Sequence, residues 1–313
     1  MAVNTVKAVI NGQEYQLSSS DGGTTWTTVV TAPAQTSGMN NAGVGPGVGT
    51  AAAGKGYYDV SISATDEAGN VTTISSQSGS FTENCRLKVF ETTAPVASFS
   101  YPTAGSTITS SSPAIAFSII DDGSGVNPES CKIKIDGNTE QSVELTGSGS
   151  TFSGTFTPGT ALSDGQHTVN VYAYDYDGNK SNVATVTFTI DTTPPTLVIT
   201  APADGSIVNV TTGTIAGTTN DATSSPVMVT ATINSKDVGA ITVNSNGSFS
   251  KAITFDVGVN NVVIKAVDSA GKETIVTRTV TVDTGAPVFK SVVIKENPTA
   301  VGTTVTITVT VED

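Results

Sequence analysis

The sequence has little of the residues that carry most enzyme chemistry. It contains 1 histidine, 2 cysteines and 1 tryptophan among 313 residues. The lone histidine, His167, has no serine or cysteine with a plausible base partner, which excludes a catalytic triad and a histidine metal site. One tryptophan and no aromatic-rich groove argue against the sugar subsites of a glycoside hydrolase. We therefore expect a non-enzymatic protein, with His167 on the surface of a strand.

Positive charge and long apolar runs are scarce as well. The chain has 14 basic against 27 acidic residues and a net charge of −13, without any basic cluster. Nucleic acid would be repelled by this charge. No apolar run approaches a membrane span, and the first residues lack the apolar core of a signal peptide. We expect no nucleic-acid partner, no membrane insertion and no secretion signal in this sequence.

The two cysteines fall on the apolar phase of predicted strands. Cys85 alternates with Leu87 and Val89, and Cys131 alternates with Ile133 and Ile135. Buried thiols in different domains are favoured over a disulfide, because apolar strand positions face a core.

Valine, threonine, serine and glycine are abundant, which favours a chain made of β-strands. A short linker motif divides this chain: residues 91–95 read ETTAP, residues 191–195 read DTTPP and residues 283–287 read DTGAP. Its copies recur about 100 residues apart, the size of one small domain. The closing proline cannot continue a strand ladder and holds its predecessor extended. Each copy therefore predicts a domain boundary.

Each linker is preceded by the same pattern, in which an alternating apolar strand ends in Asp-x-x-Gly. The aspartates are Asp66, Asp175 and Asp268. Alternation predicts a half-buried strand, and Asp-x-x-Gly predicts a tight turn into the next strand. Several short strands per repeat predict an all-β fold of tandem immunoglobulin-like sandwiches in a rod. The predicted segments are an incomplete domain at 1–92, domains at 93–191 and 192–283, and a two-strand segment at 284–313.

These motifs resemble bacterial immunoglobulin-like (Big-type) repeats. The resemblance rests on the Asp-x-x-Gly-Asn turn, on the linker at 191–195 and on openings such as residues 199–205, ITAPADG. It covers nearly the whole chain and implies the fold. Such repeats occur in surface adhesins, in accessory regions of secreted polysaccharide-degrading enzymes and in phage tail or virion proteins. A Gly/Ala-rich stretch at 32–56 departs from the pattern, and we interpret it as a surface loop or a contact loop.

The two ends of the sequence complement each other. By alignment the first repeat begins at its third strand, whereas residues 288–313 supply two strands that match the opening of a repeat. An isolated strand pair cannot bury its apolar face. One hypothesis is head-to-tail strand complementation between copies, in a homo-oligomer or filament, with closure inside one molecule less favoured. The alternative is that the sequence is a segment of a longer chain, or that the pair stays loose. The donated residues would be Val305, Ile307, Val309 and Val311.

Carboxylates are the one chemically suggestive feature. In an immunoglobulin topology the last turn, the loop after the second strand and the incoming linker lie at the same end of a domain. Oxygen ligands that converge at a junction suit Ca²⁺, which takes 6 to 8 of them. The resemblance also implies calcium between domains. The candidate ligands are Glu91, Asp121, Asp122, Asp175, Asp177 and Asn179 at the first junction, and Asp191, Asp221 and Asp268 at the second.

The alternative is that these aspartates stabilise their own turns and bind no metal, because an aspartate that opens a turn commonly accepts hydrogen bonds from the backbone amides of that turn. Lys272 also replaces asparagine in the last turn, which weakens a cation site at the second junction. Calcium is the one cofactor that these carboxylates suggest, more at the first junction than at the second.

Two functions fit the sequence. The first is a structural or attachment component of a phage tail or virion, which contacts its own copies, other virion proteins or a host-surface glycan. The second is a stalk or binding segment of a secreted adhesin or polysaccharide-degrading enzyme. The corresponding locations are the virion and the extracellular surface.

Overall fold

A computed structural model describes residues 2–33 and 57–313. The described residues form 25 β-strands and two short 3-10 helices, Gly79–Phe81 and Pro128–Ser130, with no α-helix among them. The predicted all-β fold of tandem sandwiches is confirmed. The described part contains no helix long and apolar enough to cross a membrane. The chain divides into two compact units, Met1–Ile190 and Asp191–Asp313. The proposed loop at 32–56 lies, apart from its first two residues, outside the described residues.

The first segment contributes one sheet, which we call the first sheet. Its strand order is β3-β2-β1-β4-β5, with β6 paired to β4. Its strands are β1 (Val3–Ile10), β2 (Gln13–Ser19), β3 (Trp26–Thr27), β4 (Tyr58–Asp66), β5 (Val71–Ile74) and β6 (Arg86–Leu87).

The second segment is a complete sandwich of two sheets, ordered β11-β10-β14-β15-β8 and β12-β13-β9-β7. Strand β8 pairs parallel with β15, while its neighbours in the chain belong to the other sheet. The strands are β7 (Val96–Tyr101), β8 (Thr107–Ile108), β9 (Ile115–Ile120), β10 (Lys132–Ile135), β11 (Gln141–Ser142), β12 (Thr146–Ser148), β13 (Thr151–Phe156), β14 (Gly165–Tyr172) and β15 (Ala184–Ile190).

The third segment repeats this plan in the second unit, with sheets ordered β16-β18-β21 and β17-β23-β22-β19-β20. Strand β17 again pairs parallel with the last strand, β23. The strands are β16 (Thr196–Ala201), β17 (Ser206–Val208), β18 (Thr212–Asn220), β19 (Met228–Ile233), β20 (Lys236–Asp237), β21 (Ser248–Thr254), β22 (Gly258–Val267) and β23 (Glu273–Val282). A separate antiparallel pair follows, β24 (Val288–Lys295) with β25 (Thr306–Glu312).

Three tight turns at corresponding places in the three segments have left-handed backbone conformations. Asn11-Gly12 and Asp136-Gly137 both have positive φ, with 50° at Asn11 and at Asp136. Two positive φ angles in succession match the right-handed twist of the flanking strands, and Asn, Asp and Gly tolerate them best. Asn234-Ser235 adopts the same conformation without glycine, at φ 48° and 66°.

The two complete sandwiches each enclose one core. The core side of strand β14 and its continuation includes Val169, Val171 and Ala173, and all three are 0% exposed. The matching residues of β22, Val262, Ile264 and Ala266, are also 0% exposed. The alternation seen in the sequence therefore identifies the buried face correctly.

Two expectations about single residues are wrong. His167 is buried in β14 rather than exposed, because its ring packs at 6.0 Å from Phe188. Cys85 is buried but lies in a turn before β6, not on a strand, because the chain bends there and Cys85 N–H bonds to the carbonyl of Phe81. Cys85 and Cys131 are free thiols, so the prediction of buried, unpaired cysteines is confirmed.

His167 links the turn that contains Asp136 to the loop that contains Ser163. Its Nδ1 lies 2.6 Å from Asp136 Oδ2, and its Nε2 lies 2.8 Å from the carbonyl oxygen of Ser163. Both partners accept hydrogen bonds, which favours the doubly protonated ring. Burial alone would lower the pKa of His167, but the hydrogen bonds to Ser163 and Asp136 and the charge of Asp136 raise it above its ordinary 6.5.

The stability of this sandwich should therefore depend on pH. A raised folded pKa means that the stabilisation is fully present below pH 6.5 and is lost as the pH rises through the folded value. We expect H167Q to abolish this loss of stability, measured as the change in the unfolding midpoint as the pH is raised from 6.5 through the pKa of His167 in the folded protein. The exposed pair Lys7–Glu14 provides a control, because K7Q should leave the decline intact. A wild-type midpoint that does not fall over this range contradicts the prediction.

Candidate metal centre

The aspartate that ends each long strand caps the turn after it. Asp66 Oδ1 accepts hydrogen bonds from the amides of Ala68 and Asn70, at 2.9 and 2.8 Å. Asp268 Oδ1 accepts the equivalent bonds from Ala270 and Lys272, at 2.8 and 2.9 Å. The aspartate therefore caps the turn in both cases, whether the last residue of the turn is an asparagine (Asn70) or a lysine (Lys272).

Two of the three turn aspartates also meet an acid from the preceding linker and an acid from another loop of their domain. In each group, one oxygen per residue can be chosen such that all three lie within 4.8 Å of one another. Asp66 belongs to neither group found among the described residues. We call the groups the first triad and the second triad: they comprise Glu91, Asp121 and Asp175, and Asp191, Asp221 and Asp268.

The first triad is held together by backbone amides. Asp121 Oδ2 accepts from Gly125 N at 2.5 Å, and Glu91 Oε1 accepts from Ser124 N. Both carboxylate oxygens of Asp175 accept hydrogen bonds from Asn179. Oδ1 accepts from the backbone amide at 2.7 Å, and Oδ2 accepts from the side-chain Nδ2 at 2.7 Å. Most of the oxygens in this triad therefore already have donors.

The first triad is electrostatically crowded. Asp121 is buried, and burial raises its pKa to about 6 from an ordinary 3.8. The charges of Glu91 and Asp175 act in the same direction, while the amides of Gly125 and Gly123 oppose the shift. In the absence of a cation, a proton on Asp121 relieves the repulsion.

The second triad is satisfied less completely. Asp221 Oδ1 accepts from the amides of Thr223 and Ser224, at 2.8 and 2.6 Å. Asp191 Oδ2 and Asp268 Oδ2, by contrast, are buried and have no hydrogen-bond partner. A buried carboxylate oxygen without a protein donor is costly unless another group compensates its charge. The second triad therefore offers two buried carboxylate oxygens to a positively charged or hydrogen-donating group.

The remaining predicted ligands do not join the triads. Asp122 is exposed and lies outside the first triad, because the loop turns Asp121 inward and leaves its neighbour in solvent. Asp177 and Asn179 instead hold the linker backbone. Asp177 Oδ2 accepts from Glu91 N at 2.9 Å, and Asn179 Nδ2 donates to Glu91 O at 3.2 Å.

Three residues that matter here were not predicted. Ser124 and Ser224 have buried hydroxyls without a hydrogen-bond partner, one in each triad-forming loop. Gly123 lies so close to the carboxylate of Glu91 that a Cβ there would overlap it. A signal for the serines was present, because each follows its loop aspartate by three positions, as Asp121-x-x-Ser124 and Asp221-x-x-Ser224.

The first triad predicts a pH dependence in cation-free protein. Between pH 3.8 and about 6 the folded state binds the Asp121 proton that the unfolded state has released. The free energy of unfolding therefore falls as the pH rises through this window, by up to about 3 kcal/mol at about 1.4 kcal/mol per pKa unit. D121N should lose this contribution, measured by urea unfolding with a chelator. D122N, at the exposed neighbour, should keep the wild-type profile, and identical profiles for both variants would refute the assignment.

Three family models match consecutive parts of the chain. Residues 6–83 and residues 107–192 each match a model described as a bacterial Ig-like domain. Residues 195–284 match the model described as glucodextranase, domain B. No match was found among curated proteins.

Several solved structures are similar to this chain. The fibronectin(III)-like modules of Clostridium thermocellum CbhA share 13% identity over 60% of this chain and 94% of that chain, with a TM-score of 0.35. A bacterial ice-binding adhesin shares 19% identity over 90% of this chain and 87% of that chain, with a TM-score of 0.33. A tetra-tandem repeat from the extending region of a large adhesion protein shares 18% identity over 98% and 79%, with a TM-score of 0.33.

The sandwiches, their turns and the family models agree. Residues 6–83 and 107–192 are bacterial immunoglobulin-like domains, and the chain is a tandem bacterial immunoglobulin-like repeat protein.

Proposed function

We propose that this chain is a non-catalytic stalk or binding segment of a secreted or surface protein, and that a calcium ion fixes a linker onto the domain that follows it. The observation that carries the proposal is the pair of buried, unpartnered oxygens, Asp191 Oδ2 and Asp268 Oδ2. Asp191 is the first residue of the linker, and Asp268 directly follows strand β22 of the following domain. A cation between them would join linker and domain.

The donor set selects the kind of cation. Carboxylate and hydroxyl oxygens suit a hard ion, whereas structural zinc sites are built mainly from cysteine and histidine. Calcium accepts 6 to 8 oxygens in irregular geometry, with water completing the shell, whereas magnesium demands a near-ideal octahedron. Three carboxylates from three separate segments fit calcium better.

Calcium would change the linker mechanically. Asp191 Oδ1 accepts a hydrogen bond from the amide of Thr193, at 3.2 Å, which is a contact within the linker itself. A cation shared with Asp221 and Asp268 adds bonds to two loops of the domain. The second triad is the stronger site in this proposal, which reverses the order expected from Lys272. That lysine contributes its backbone amide to the turn.

The family matches favour an extracellular setting over a virion. Two segments match bacterial Ig-like domains, and the third matches a domain named for a glucodextranase. A stalk or accessory segment of an adhesin or of a polysaccharide-degrading enzyme accounts for all three. A phage tail or virion role, with virion proteins or a host glycan as partners, has no finding in its favour.

His167 supports the non-catalytic part of the proposal. Both of its ring nitrogens are engaged, with Asp136 and with the carbonyl of Ser163. Neither nitrogen is free to take a proton from a nucleophile, so the only histidine of the chain serves the fold.

Calcium should raise the unfolding midpoint of the protein relative to chelator. At a free calcium concentration about 100-fold above Kd, the expected stabilisation is about 2.7 kcal/mol. D268N should lose most of it, since one of the two unpartnered oxygens is replaced by an amide that can donate. The measurement is calorimetry with and without calcium.

D66N is the matched control for D268N. Asp66 makes the same turn hydrogen bonds but belongs to neither triad, so D66N should keep the full calcium response. E91Q should reduce the response less than D268N does. A wild-type midpoint that calcium leaves unchanged would eliminate the calcium proposal, and equal losses in D66N and D268N would show that the turns, not the triad, respond.

A further inference from the structure

The β24–β25 pair has one apolar face that nothing in the described chain covers. Antiparallel partners lie on the same face, and three successive core-type pairs occur: Ile294 with Ile307, Val292 with Val309, and Phe289 with Val311. Phe289 is 72% exposed and Ile307 is 60% exposed. The other face is mostly polar, with pairs such as Ser291 with Thr310. This asymmetry is typical of a sheet that packs against a second sheet.

The chain itself shows what covers such a pair. Strands β7 and β9 form the corresponding pair of the second domain, where Ala97 with Ile119 and Phe99 with Phe117 line the same positions. Ala97, Ile119 and Phe117 are buried there against the sheet that contains β14. Strands β16 and β18 play this part in the third domain, where β16 contacts β22 and β23. In both sandwiches the covering partner is the sheet that contains the long strand before the turn aspartate, β14 or β22.

The first sheet is a sheet of that type with an incompletely buried core face. Its long strand, β4, presents Val60, Ile62 and Ala64, which are each only half-buried. The equivalent residues of β14 and β22 are all 0% exposed. Val6, Ala8 and Ile10 of the neighbouring strand β1 are buried, so the incompletely buried area lies over β4.

We propose that the β24–β25 pair of one copy packs its apolar face on β4 of the first sheet of a second copy. The contact would be apolar against apolar, with Phe289, Val292 and Val309 facing Val60 and Ile62. It would reproduce between chains the sheet-on-sheet packing that β7–β9 and β16–β18 make within their domains. The association is head-to-tail, since the two surfaces differ.

The size of the surface limits its strength. A strand pair of seven residues measures about 23 Å by 10 Å, or about 230 Å² of sheet face. Stable interfaces bury about 800 Å² per partner. We therefore expect weak, concentration-dependent association, detectable in the micromolar range and above.

Sedimentation velocity over a concentration series tests the proposal. The wild type should shift from monomer to larger species as concentration rises. V309D, on the apolar face, should stay monomeric because the contact would bury an unpaired charge. T308D, on the opposite face of the same strand, is the matched control and should associate like the wild type. A wild type that stays monomeric throughout the series, whether its β24–β25 pair is free or folded back on its own chain, overturns the proposal.

A mixing experiment identifies the second surface. Fluorescently labelled V309D keeps an intact first sheet, so it should bind unlabelled wild type and cap its growth. If two β24–β25 pairs packed on each other instead, V309D would bind no partner, and the proposed occupant would be wrong. Calcium-free and calcium-saturated samples should give the same result, which separates this proposal from the calcium site.

Discussion

A sheet with one apolar face must be covered, and this constraint organises the whole chain. Burial of apolar surface is worth about 25 cal/mol per Å², so an uncovered face forfeits much of the stabilisation that a sandwich gains. The second and third domains meet the constraint with their own strands. The first sheet meets it in part, since β1 is buried and β4 is half-buried, and the β24–β25 pair does not meet it at all. The same strand pattern thus has three degrees of burial within one sequence.

The two triads show how a buried cluster of like charges can be accommodated. Hydrogen-bond donors, a proton and a cation each reduce the repulsion between the carboxylates. The first triad uses the first two means, with amide donors on each acid and a pKa of about 6 at Asp121. The second triad leaves two oxygens without a hydrogen-bond donor. Similar sequences therefore produce sites with different properties, because the sites differ in which carboxylate oxygens have hydrogen-bond donors.

Much of this could be predicted from the sequence, and the limits have physical reasons. Strand alternation identified the buried faces, and the immunoglobulin connection pattern brought Asp121 to Asp175 and Asp221 to Asp268, since topology alone places those loops at one end. Alternation could not show that His167 is buried. A polar residue at a core-side position is expected to be exposed unless hydrogen-bond partners are known, and the partners of His167, Asp136 and Ser163, are far from it or not evident in the sequence pattern. Nor could it rank the triads, since that depends on loop conformation.

Glu91 and Gly123 suggest how such repeats can be recombined. The first linker carries glutamate and its loop carries glycine, whereas the second linker carries the shorter aspartate and its loop carries Thr223 at the matching position. The longer acid occupies the space that a Cβ at Gly123 would need. If the domains were shuffled without their linkers, a glutamate would meet a threonine and its carboxylate would have to move. A domain together with the linker that precedes it would keep acid and loop matched, and the second compact unit begins at such a linker, at Asp191.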